Sequence, residues 1–434
     1  MDSQVVEASY PISFREKLAQ ELGGHIKNRN SVVLIGMKRV GISNFLRFFL
    51  YHKDIQKTYI GDNIHHLFVT IDLNDLVEKE IYPFWTLTLK RILDASEKSS
   101  VKQSTLKEIE SLFLNSIQPK NLFLTIDSIR SSIAKLIDAG FSPTLFFIRF
   151  DRMQSCATQE FFSNLEGLKS STHHHLNFVF TTFRSLNELS PTVYNQSPLS
   201  IASNEIYLTP ASLADLKIIY DANNKRFPVN LTPPLAQELL NLTGGYIQYL
   251  QLSLIILQSK NSEIKDKDSL FNLLIDDERI NLQSEELWES LTDFEQEVGI
   301  KIAKNWYVQD DERSKSKYLW VTGLIKDENT KPRFFSPIFA EFVSRKINKK
   351  GTNGSIELTK KEHLLYSFLK ENLDQICERE NIINAVWPEE EGIGVSDWAI
   401  DRLVARLRKK LVAQKENFEI VTVKTRGFKL IEKI

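Results

Sequence analysis

The sequence is poor in cysteine, in long apolar runs and in net charge. Cys156 and Cys377 are the two cysteines among 434 residues and lie far apart, which favours a reducing compartment. No apolar run approaches the roughly 20 residues that a membrane-spanning helix needs. The chain begins MDSQVVEASY, without a basic and apolar leader. We therefore expect a cytoplasmic protein that has no membrane partner.

The small net charge, taken alone, argues against a nucleic-acid partner. The formal charge is -1 at pH 7, whereas binding to phosphates depends on clustered lysine and arginine, so charge must be examined locally. With 42% hydrophobic and 26% charged residues, the composition is that of an ordinary globular protein. A chain of 434 residues exceeds the size at which single cores stop growing, and two to four domains are expected.

The first part of the chain alternates strand-like and helical segments. From about Ser212 the pattern becomes wholly helical. Alternating strands and helices predict a parallel sheet with helices on both faces, which we assign to an α/β domain over residues 10–205. The helical pattern predicts a lid domain over residues 206–284. The strand-like segments of the first domain are residues 31–35, 67–73, 144–150 and 176–182.

Two further segments precede the last domain. Residues 285–347 show a helix, a second helical stretch, a two-stranded wing and a helix opened by Pro337, which is the pattern of a winged helix. Their 10 basic and 12 acidic residues favour packing against neighbouring protein over DNA binding. Residues 348–355, NKKGTNGS, are polar and lack helical or strand periodicity, which predicts a linker.

A glycine-containing loop follows the first predicted strand. Residues 36–43, GMKRVGIS, have the spacing of the phosphate-binding motif G-x-x-x-x-G-K-[ST], between a strand and a helix as that motif requires. Ile42 stands in place of the lysine that contacts the β- and γ-phosphates. Asp151 follows the strand 144–150, with Arg152 where a second acid is normal. These departures point to a vestigial site, whose candidate nucleotide-binding residues are Gly36, Lys38, Gly41, Ser43 and Asp151.

The order of these features resembles the AAA+ and STAND classes of P-loop ATPases, especially the origin-recognition-like group, over residues 10–345. Thr181 or Thr182 ends the next strand, and Gln248 stands where such ATPases often have a nucleotide-sensing arginine. The resemblance implies a nucleotide site, but the missing lysine and second acid predict a degenerate loop. We expect no catalytic residue, no enzyme activity and no obligatory cofactor. The alternatives are ATP and Mg²⁺ bound without turnover, or a structural, partner-sensing domain.

Residues 356–434 show three helices followed by a hairpin. Thr359 and Glu362 are placed to form a capping box at the start of the first helix. The third helix, from about 396 to 411, has one apolar stripe, and residues 419–431 alternate like two strands. The pattern therefore predicts a small domain with its own core. The stripe consists of Ile400, Leu403, Val404, Leu407 and Leu411.

The third helix and the hairpin are strongly basic. Between Arg402 and Lys429 there are nine basic and two acidic residues, a net of +7, although residues 351–434 as a whole contain 14 of each. A basic helix beside a basic hairpin matches the phosphates of a duplex. Arginine on such a helix can pair with guanine in the major groove, and a basic hairpin tip can reach phosphates. We predict double-stranded DNA as partner, contacted by Arg402, Arg406, Arg408, Lys409, Lys424 and Arg426.

Four short motifs occur in order in this segment: LT--E at 358–362, AVW at 385–387, RLRKKL at 406–411 and TV-x-x-x-G-F at 422–428. With them the segment closely resembles the OmpR/PhoB type of output domain of response regulators. The resemblance implies a winged helix-turn-helix in which the third helix is the recognition helix and the hairpin is the wing. Trp398, Ala405 and Thr425 depart from the family pattern, so the preferred DNA sequence is not implied.

Together these patterns predict a transcriptional regulator with a P-loop domain that senses a partner protein or forms a homo-oligomer. One alternative is a switch that binds ATP and assembles on DNA, and another is an interaction scaffold whose basic helix binds protein. A receiver domain does not fit, because the first part is far too long and lacks paired acids near its start. No metal site is expected, since the consecutive His173, His174 and His175 cannot all face one ion.

Overall fold

A computed structural model gives the fold of the chain. It describes residues 5–61, 65–191, 204–260, 264–351, 358, 360–387, 397–413, 416–423 and 426–432. The chain divides into two compact units, the first with residues 1–264 and 307–337 and the second with residues 265–306 and 338–434. None of the helices in the described ranges is both long enough and apolar enough to cross a bilayer.

A five-stranded sheet lies at the centre of the first unit. Its strands are β1 Val32–Gly36, β2 His65–Asp72, β3 Phe141–Ile148, β4 Asn177–Thr182 and β5 Glu205–Leu208. All neighbouring strands are parallel, in the order β2-β3-β4-β1-β5, which confirms the predicted parallel sheet. The chain leaves β1 for the far edge, returns through β3 and β4, and ends on the other side of β1. Ligands of open α/β sheets bind where the strand order reverses in this way.

Helices cover both faces of the sheet. The helices that precede β5 are α1 Glu16–Lys27, α2 Ile42–Tyr51, α3 Ile81–Glu97, α4 Gln103–Ile117, α5 Leu122–Asp138, α6 Gln159–Ser171 and α7 Leu186–Leu189. Those that follow it are α8 Leu213–Arg226, α9 Pro233–Thr243 and α10 Ile247–Lys260. Phe147 packs on Phe84 of α3 with ring centroids 5.1 Å apart, and its neighbour Phe146 packs on Phe49 of α2 at 6.5 Å. Successive residues of a strand point to opposite faces, so these two pairs mark the two layers.

The sheet extends past the boundary predicted at residue 205. β5 pairs with β1, with Glu205 opposite Val33 and Leu208 opposite Gly36. The predicted division between the α/β domain and the lid therefore cuts through a strand. β5 has only four residues, and its partial exposure gives neither the continuous apolar run of a central strand nor a long alternation. The helical lid itself is present as α8, α9 and α10.

The elements predicted for the internal winged helix are present, in both units. α11 Lys267–Asp276 and the first part of α12 Glu278–Glu289 fall in the span predicted for the lid, residues 206–284, but belong to the second unit. Of the elements predicted for the winged helix, α13 Asp293–Ala303 belongs to the second unit, whereas α14 Asp310–Lys315, α15 Tyr318–Val321, β6 Ile325–Glu328 and β7 Lys331–Phe334 belong to the first. The next helix, α16 Pro337–Gly351, begins at the predicted proline. The predicted boundary at 284/285 falls inside α12.

The predicted linker begins later than residue 348. α16 continues through Gly351, so the first four residues of the segment 348–355 are helical, and 352–355 lie outside the described residues. Lysine has a high intrinsic helix propensity, so a polar segment that contains it can continue a helix. Lys349 and Lys350 therefore extend the helix into a segment whose polar composition suggested a linker.

The carboxyl-terminal domain has the predicted helices and hairpin. The helices are α17 Lys360–Glu371, α18 Arg379–Val386 and α19 Asp397–Ala413, and the strands are β8 Cys377–Glu378, β9 Phe418–Val423 and β10 Gly427–Glu432. The strands form an antiparallel sheet in the order β8-β10-β9. This is a winged helix-turn-helix, in which the hairpin of β9 and β10 is the wing.

This domain has a hydrophobic core of its own. Every fully buried member of its core cluster lies between Leu365 and Leu430. The five residues of the predicted apolar stripe on α19 are all members, each at most 1% exposed. A segment that buries its own apolar face in this way can fold by itself, which permits experiments on residues 351–434 alone.

Candidate functional site

α19 occupies the position of a recognition helix. Its apolar stripe packs into the core with α17 and α18, so the basic residues between the stripe positions point away from that core. Trp387, at the end of α18, is 2% exposed and belongs to the core.

Arg408 joins the recognition helix to the wing. Its Nε donates to the carbonyl oxygen of Ile420 at 2.8 Å, and its Nη2 donates to Oγ1 of Thr422 at 2.7 Å. Both acceptors lie on β9. These bonds fix the orientation of the hairpin relative to α19.

The polar face of α19 lies against α12, Glu278–Glu289, which we call the acidic helix. Arg402 Nη2 lies 2.6 Å from Oε2 of Glu289, and Lys409 Nζ lies 2.9 Å from Oε1 of the same carboxylate. The side chain of Arg402 is 16% exposed, whereas that of Lys409 is 67% exposed. Glu289 therefore connects two cations that are seven residues apart on one face of the recognition helix.

Arg406 is surrounded by three carboxylates. Its Nη1 lies 2.9 Å from Oε1 of Glu278, and its Nε lies 2.9 Å from both Oε2 of Glu285 and Oε1 of Glu362. Burial lowers the pKa of Arg406, but the negative charges of Glu285, Glu278 and Glu362 outweigh it, and the pKa is raised from its usual value. The guanidinium is therefore charged, and its side chain is only 12% exposed.

Glu362 has a second role besides the predicted one in helix capping. It is fully buried, and its carboxylate pairs with Lys410 as well as with Arg406. Thr359, the other member of the predicted capping box, lies outside the described residues. Glu362 thus anchors the recognition helix to α17 through two cations.

At the wing tip, one of the two predicted DNA contacts can be placed. Arg426 is exposed, and its backbone N–H donates to the carbonyl oxygen of Val423 at 3.1 Å, which closes the turn. Lys424 lies outside the described residues, as does its neighbour Thr425. Arg426 therefore stands at the end of the hairpin, separate from the face that meets the acidic helix.

Three residues that contact the recognition helix were not found from the sequence, namely Glu278, Glu285 and Glu289. Their partners on α19 lie more than a hundred positions away, so no local pattern joins the two helices. Glu285 also lies 3.5 Å from Nζ of Lys346 on α16. A signal does exist, because residues 276–289 contain six acidic residues and one basic residue. An acidic stretch in a chain that also has a +7 segment indicates an internal partner for the basic surface.

The glycine loop lies between β1 and α2, and the lid packs directly on it. Gly41 has a φ of +115°, and a Cβ at this position would lie 2.2 Å from Cδ1 of Ile247. The hydroxyl of Tyr246 donates to the carbonyl oxygen of Lys38 at 2.6 Å. Gly41 is therefore required by its backbone conformation and by packing, whether or not a phosphate binds. Ile42 packs back toward Gly36, where a Cβ would meet its Cδ1 at 3.3 Å.

Each of two carboxylates that follow or end strands β2 and β3 interacts with a nearby cation. Arg149 directly follows β3, and its Nη2 lies 2.6 Å from Oδ2 of Asp72 at the end of β2. The Arg149 backbone N–H donates to Oγ1 of Thr181 at 2.8 Å. Asp151 follows in a 3₁₀ turn, where burial raises its pKa and positive charges, led by that of Lys38, oppose the rise. The structure thus brings Lys38 and Asp151 into one electrostatic group.

This group does not fit the binding of ATP with Mg²⁺ for hydrolysis. Mg²⁺ in nucleotide sites is held by one or two carboxylates together with phosphates and waters, but Asp72 is already paired with Arg149 and Asp151 interacts with Lys38. Ile42 supplies no donor to a phosphate. The ammonium of Lys38 lies 5.0 Å from the centre of the Phe183 ring, so it is engaged in a cation–π contact. No hydrolytic step follows from this arrangement.

The carboxyl-terminal domain matches a known family. Residues 352–430 match the family described as "Transcriptional regulatory protein, C terminal", which confirms the predicted OmpR/PhoB-type output domain. The match includes the recognition helix and the wing. No curated protein matches the chain.

Several solved structures are similar to larger parts of the chain. A Walker-type ATPase of Pyrococcus abyssi is 12% identical and covers 76% of this chain and 95% of its own, with a TM-score of 0.47. The ORC2 protein of Aeropyrum pernix with ADPNP and ADP is 13% identical, covers 81% and 99%, and has a TM-score of 0.48. The ORC1 protein of Aeropyrum pernix in complex with DNA is 9% identical, covers 96% and 89%, and has a TM-score of 0.41.

Proposed function

We propose that this chain is a DNA-binding transcriptional regulator whose last domain, residues 356–434, binds a duplex. The observation that carries the proposal is a basic recognition helix and wing, with a net charge of +7 from Arg402 to Lys429, inside the segment that matches the family. A buried apolar stripe holds α19 on its domain and directs the cations of the same helix outward. That arrangement suits insertion of a helix into the major groove.

In this proposal different cations contact different parts of the duplex. Arg402 and Arg406 pair with base edges or backbone in the major groove, where a guanidinium can bind guanine O6 and N7 together. Lys409 binds phosphate, and Arg426 and Lys424 on the wing contact phosphate or minor groove. Arg408 acts as a positioning residue, because it holds β9 on the recognition helix. Sequence preference would therefore come from the helix and register from the wing.

Genome-wide occupancy of the tagged full-length protein tests this function and gives the operator in the same experiment. Sites of occupancy should share one motif, and the isolated segment 351–434 should bind a duplex that contains it. If the isolated segment folds and binds neither this duplex nor a random one, the proposed function is wrong. In that case the scaffold reading, in which the basic helix binds protein, becomes the better one.

We further propose that the P-loop domain, residues 10–205, acts without hydrolysis, as a sensor of a partner protein or a site of self-association. Ile42 in place of lysine and the matched carboxylates Asp72 and Asp151 support this view. Light scattering on the purified chain, with and without ATP, tests it. Mass that rises with protein concentration alone favours self-association. Mass that rises only when ATP is added favours the alternative of a nucleotide-dependent switch.

A further inference from the structure

The acidic helix and the recognition helix meet through matching rows of charge. Glu278, Glu285 and Glu289 are spaced by seven and four residues, which places them on one side of the acidic helix. Arg402, Arg406 and Lys409 are spaced by four and three, which places them on one side of α19. Each of the three cations pairs with at least one of these carboxylates at 2.6 to 2.9 Å, and the acids are 17% to 27% exposed.

The carboxylates use the same donors that DNA would need. Phosphates and carboxylates are both bound by guanidinium groups through charged hydrogen bonds. A guanidinium that faces the carboxylates of a packed helix cannot at the same time enter a groove. At 16% and 12% exposure, Arg402 and Arg406 are out of reach of a duplex in this arrangement.

The contact can open without loss of either hydrophobic core. The buried core residues of the winged helix lie between Leu365 and Leu430, and the partly buried apolar residues packed on them lie between Leu358 and Phe418. The domain therefore keeps its apolar packing when it leaves the acidic helix. The acidic helix is held on its other side, where Trp288 packs on Phe339 of α16 with ring centroids 6.4 Å apart. Partly exposed ion pairs contribute little net stability, since desolvation offsets most of their attraction. A contact of this kind is suited to reversible closure.

We propose that the acidic helix is an autoinhibitory element that covers the DNA-binding face of the recognition helix until a signal separates the two. This inference rests on the proposed function and adds its control. In the closed state Arg402 and Arg406 are covered by the acidic helix, whereas Lys409 and Arg426 are exposed, so DNA binding through the first two requires the open state. The apparent affinity of the full chain is then reduced by the fraction of molecules that are open.

Binding of a labelled random-sequence duplex by the full-length protein tests the proposal. The variant carries Glu278→Gln, Glu285→Gln and Glu289→Gln together, which keeps side-chain size and removes the three charges. The control carries Asp268→Asn, Asp293→Asn and Glu297→Gln, three exposed acids of the same unit. Both remove three negative charges, so a general electrostatic gain is common to the two. We expect the first variant to bind about tenfold more tightly than the control, because its open fraction rises.

The outcomes separate the inhibition from the DNA binding itself. If the isolated segment 351–434 binds the duplex and both full-length variants bind equally well, autoinhibition is overturned while the proposed function stands. If neither the segment nor any variant binds, the proposed function fails as well. Should the triple variant be misfolded by circular dichroism, Glu289→Gln and Glu297→Gln replace the two sets, and a tighter complex for Glu289→Gln alone supports the proposal. Equal binding by these two single variants overturns it.

Discussion

The arginines of the last domain differ in what their side chains contact. Arg402 and Arg406 meet the acidic helix, Arg408 meets the backbone and a hydroxyl of β9, and Arg426 is exposed at the wing tip. Helical periodicity separates the apolar stripe from the basic residues but does not distinguish one basic residue from another. The distinction depends on elements that are distant in sequence, and only the structure supplies them.

Arg402→Ala, made in the isolated segment 351–434, should change the preferred base at one position of the site. A lost bidentate pair with guanine costs about 1 to 3 kcal/mol on the best sequence and less on others. The isolated segment is needed because, in the full chain, the same substitution also removes a bond to Glu289. Binding to a randomised duplex library measures the effect.

Lys424→Ala is the matched control for that experiment. A wing residue that contacts phosphate carries no sequence information, so all sequences should weaken to a similar extent. If Arg402→Ala also weakens every sequence evenly, Arg402 does not bind a base edge.

Ile42→Lys should strengthen nucleotide binding without creating an ATPase. An ammonium at this position can contact phosphates, but Arg149 still neutralises Asp72 at the place where Mg²⁺ needs a carboxylate. Titration with a fluorescent ATP analogue and a phosphate-release assay measure the two properties. Ser43→Ala is the control for the unmodified chain. Hydrolysis at about 1 per second or faster that is lost in Ser43→Ala would show an active site and contradict the proposal.

Among the elements, the strongly periodic ones could be predicted and the short or distant ones could not. The apolar stripe predicts the recognition helix, and the five stripe residues are all in the core. The alternation of residues 419–431 predicts the hairpin, which is present as the antiparallel pair β9 and β10. The predicted domain boundary cut through β5 because four residues, of which two are buried, form too short a pattern. The role of the acidic helix could not be predicted because its carboxylates are satisfied by cations of α19, which no local period relates to them.

Gly427→Ala should destabilise the winged helix by more than about 2 kcal/mol, as expected for a forced backbone shift. Gly427 has a φ of +149°, and a Cβ would lie 2.1 Å from the carbonyl oxygen of Cys377, which belongs to the neighbouring strand β8. Urea unfolding of the segment 351–434 measures the loss. Val412→Ala, at a position that is 66% exposed, is the control and should change stability by less than about 0.5 kcal/mol. Similar midpoints for the two variants would show that the strand pair relaxes around the added methyl group.

In the whole molecule, a net charge near zero results from a strongly basic segment and acidic segments that offset it. The formal charge of -1 is the sum of a segment with a net of +7 and acidic stretches elsewhere, one of which contacts that segment. Composition alone therefore argues against a nucleic-acid partner, whereas local charge favours one. If the internal contact is inhibitory, the two views describe a closed and an open state of the same protein.

Salt should affect the full chain less than its isolated last domain. If Arg402, Arg406, Lys409 and Lys424 each neutralise a phosphate, log affinity of the segment 351–434 falls against log salt with a slope of about -3 to -4. Salt also screens the ion pairs that close the full chain, and the open fraction therefore rises as salt is added. The two effects oppose each other, so the slope of the full chain should be shallower than that of the segment.

The Glu278→Gln, Glu285→Gln, Glu289→Gln variant lacks the closing pairs and should recover the steeper slope. Parallel slopes for all three proteins would mean that DNA does not compete with these carboxylates, and a slope near zero for the segment would contradict groove binding altogether.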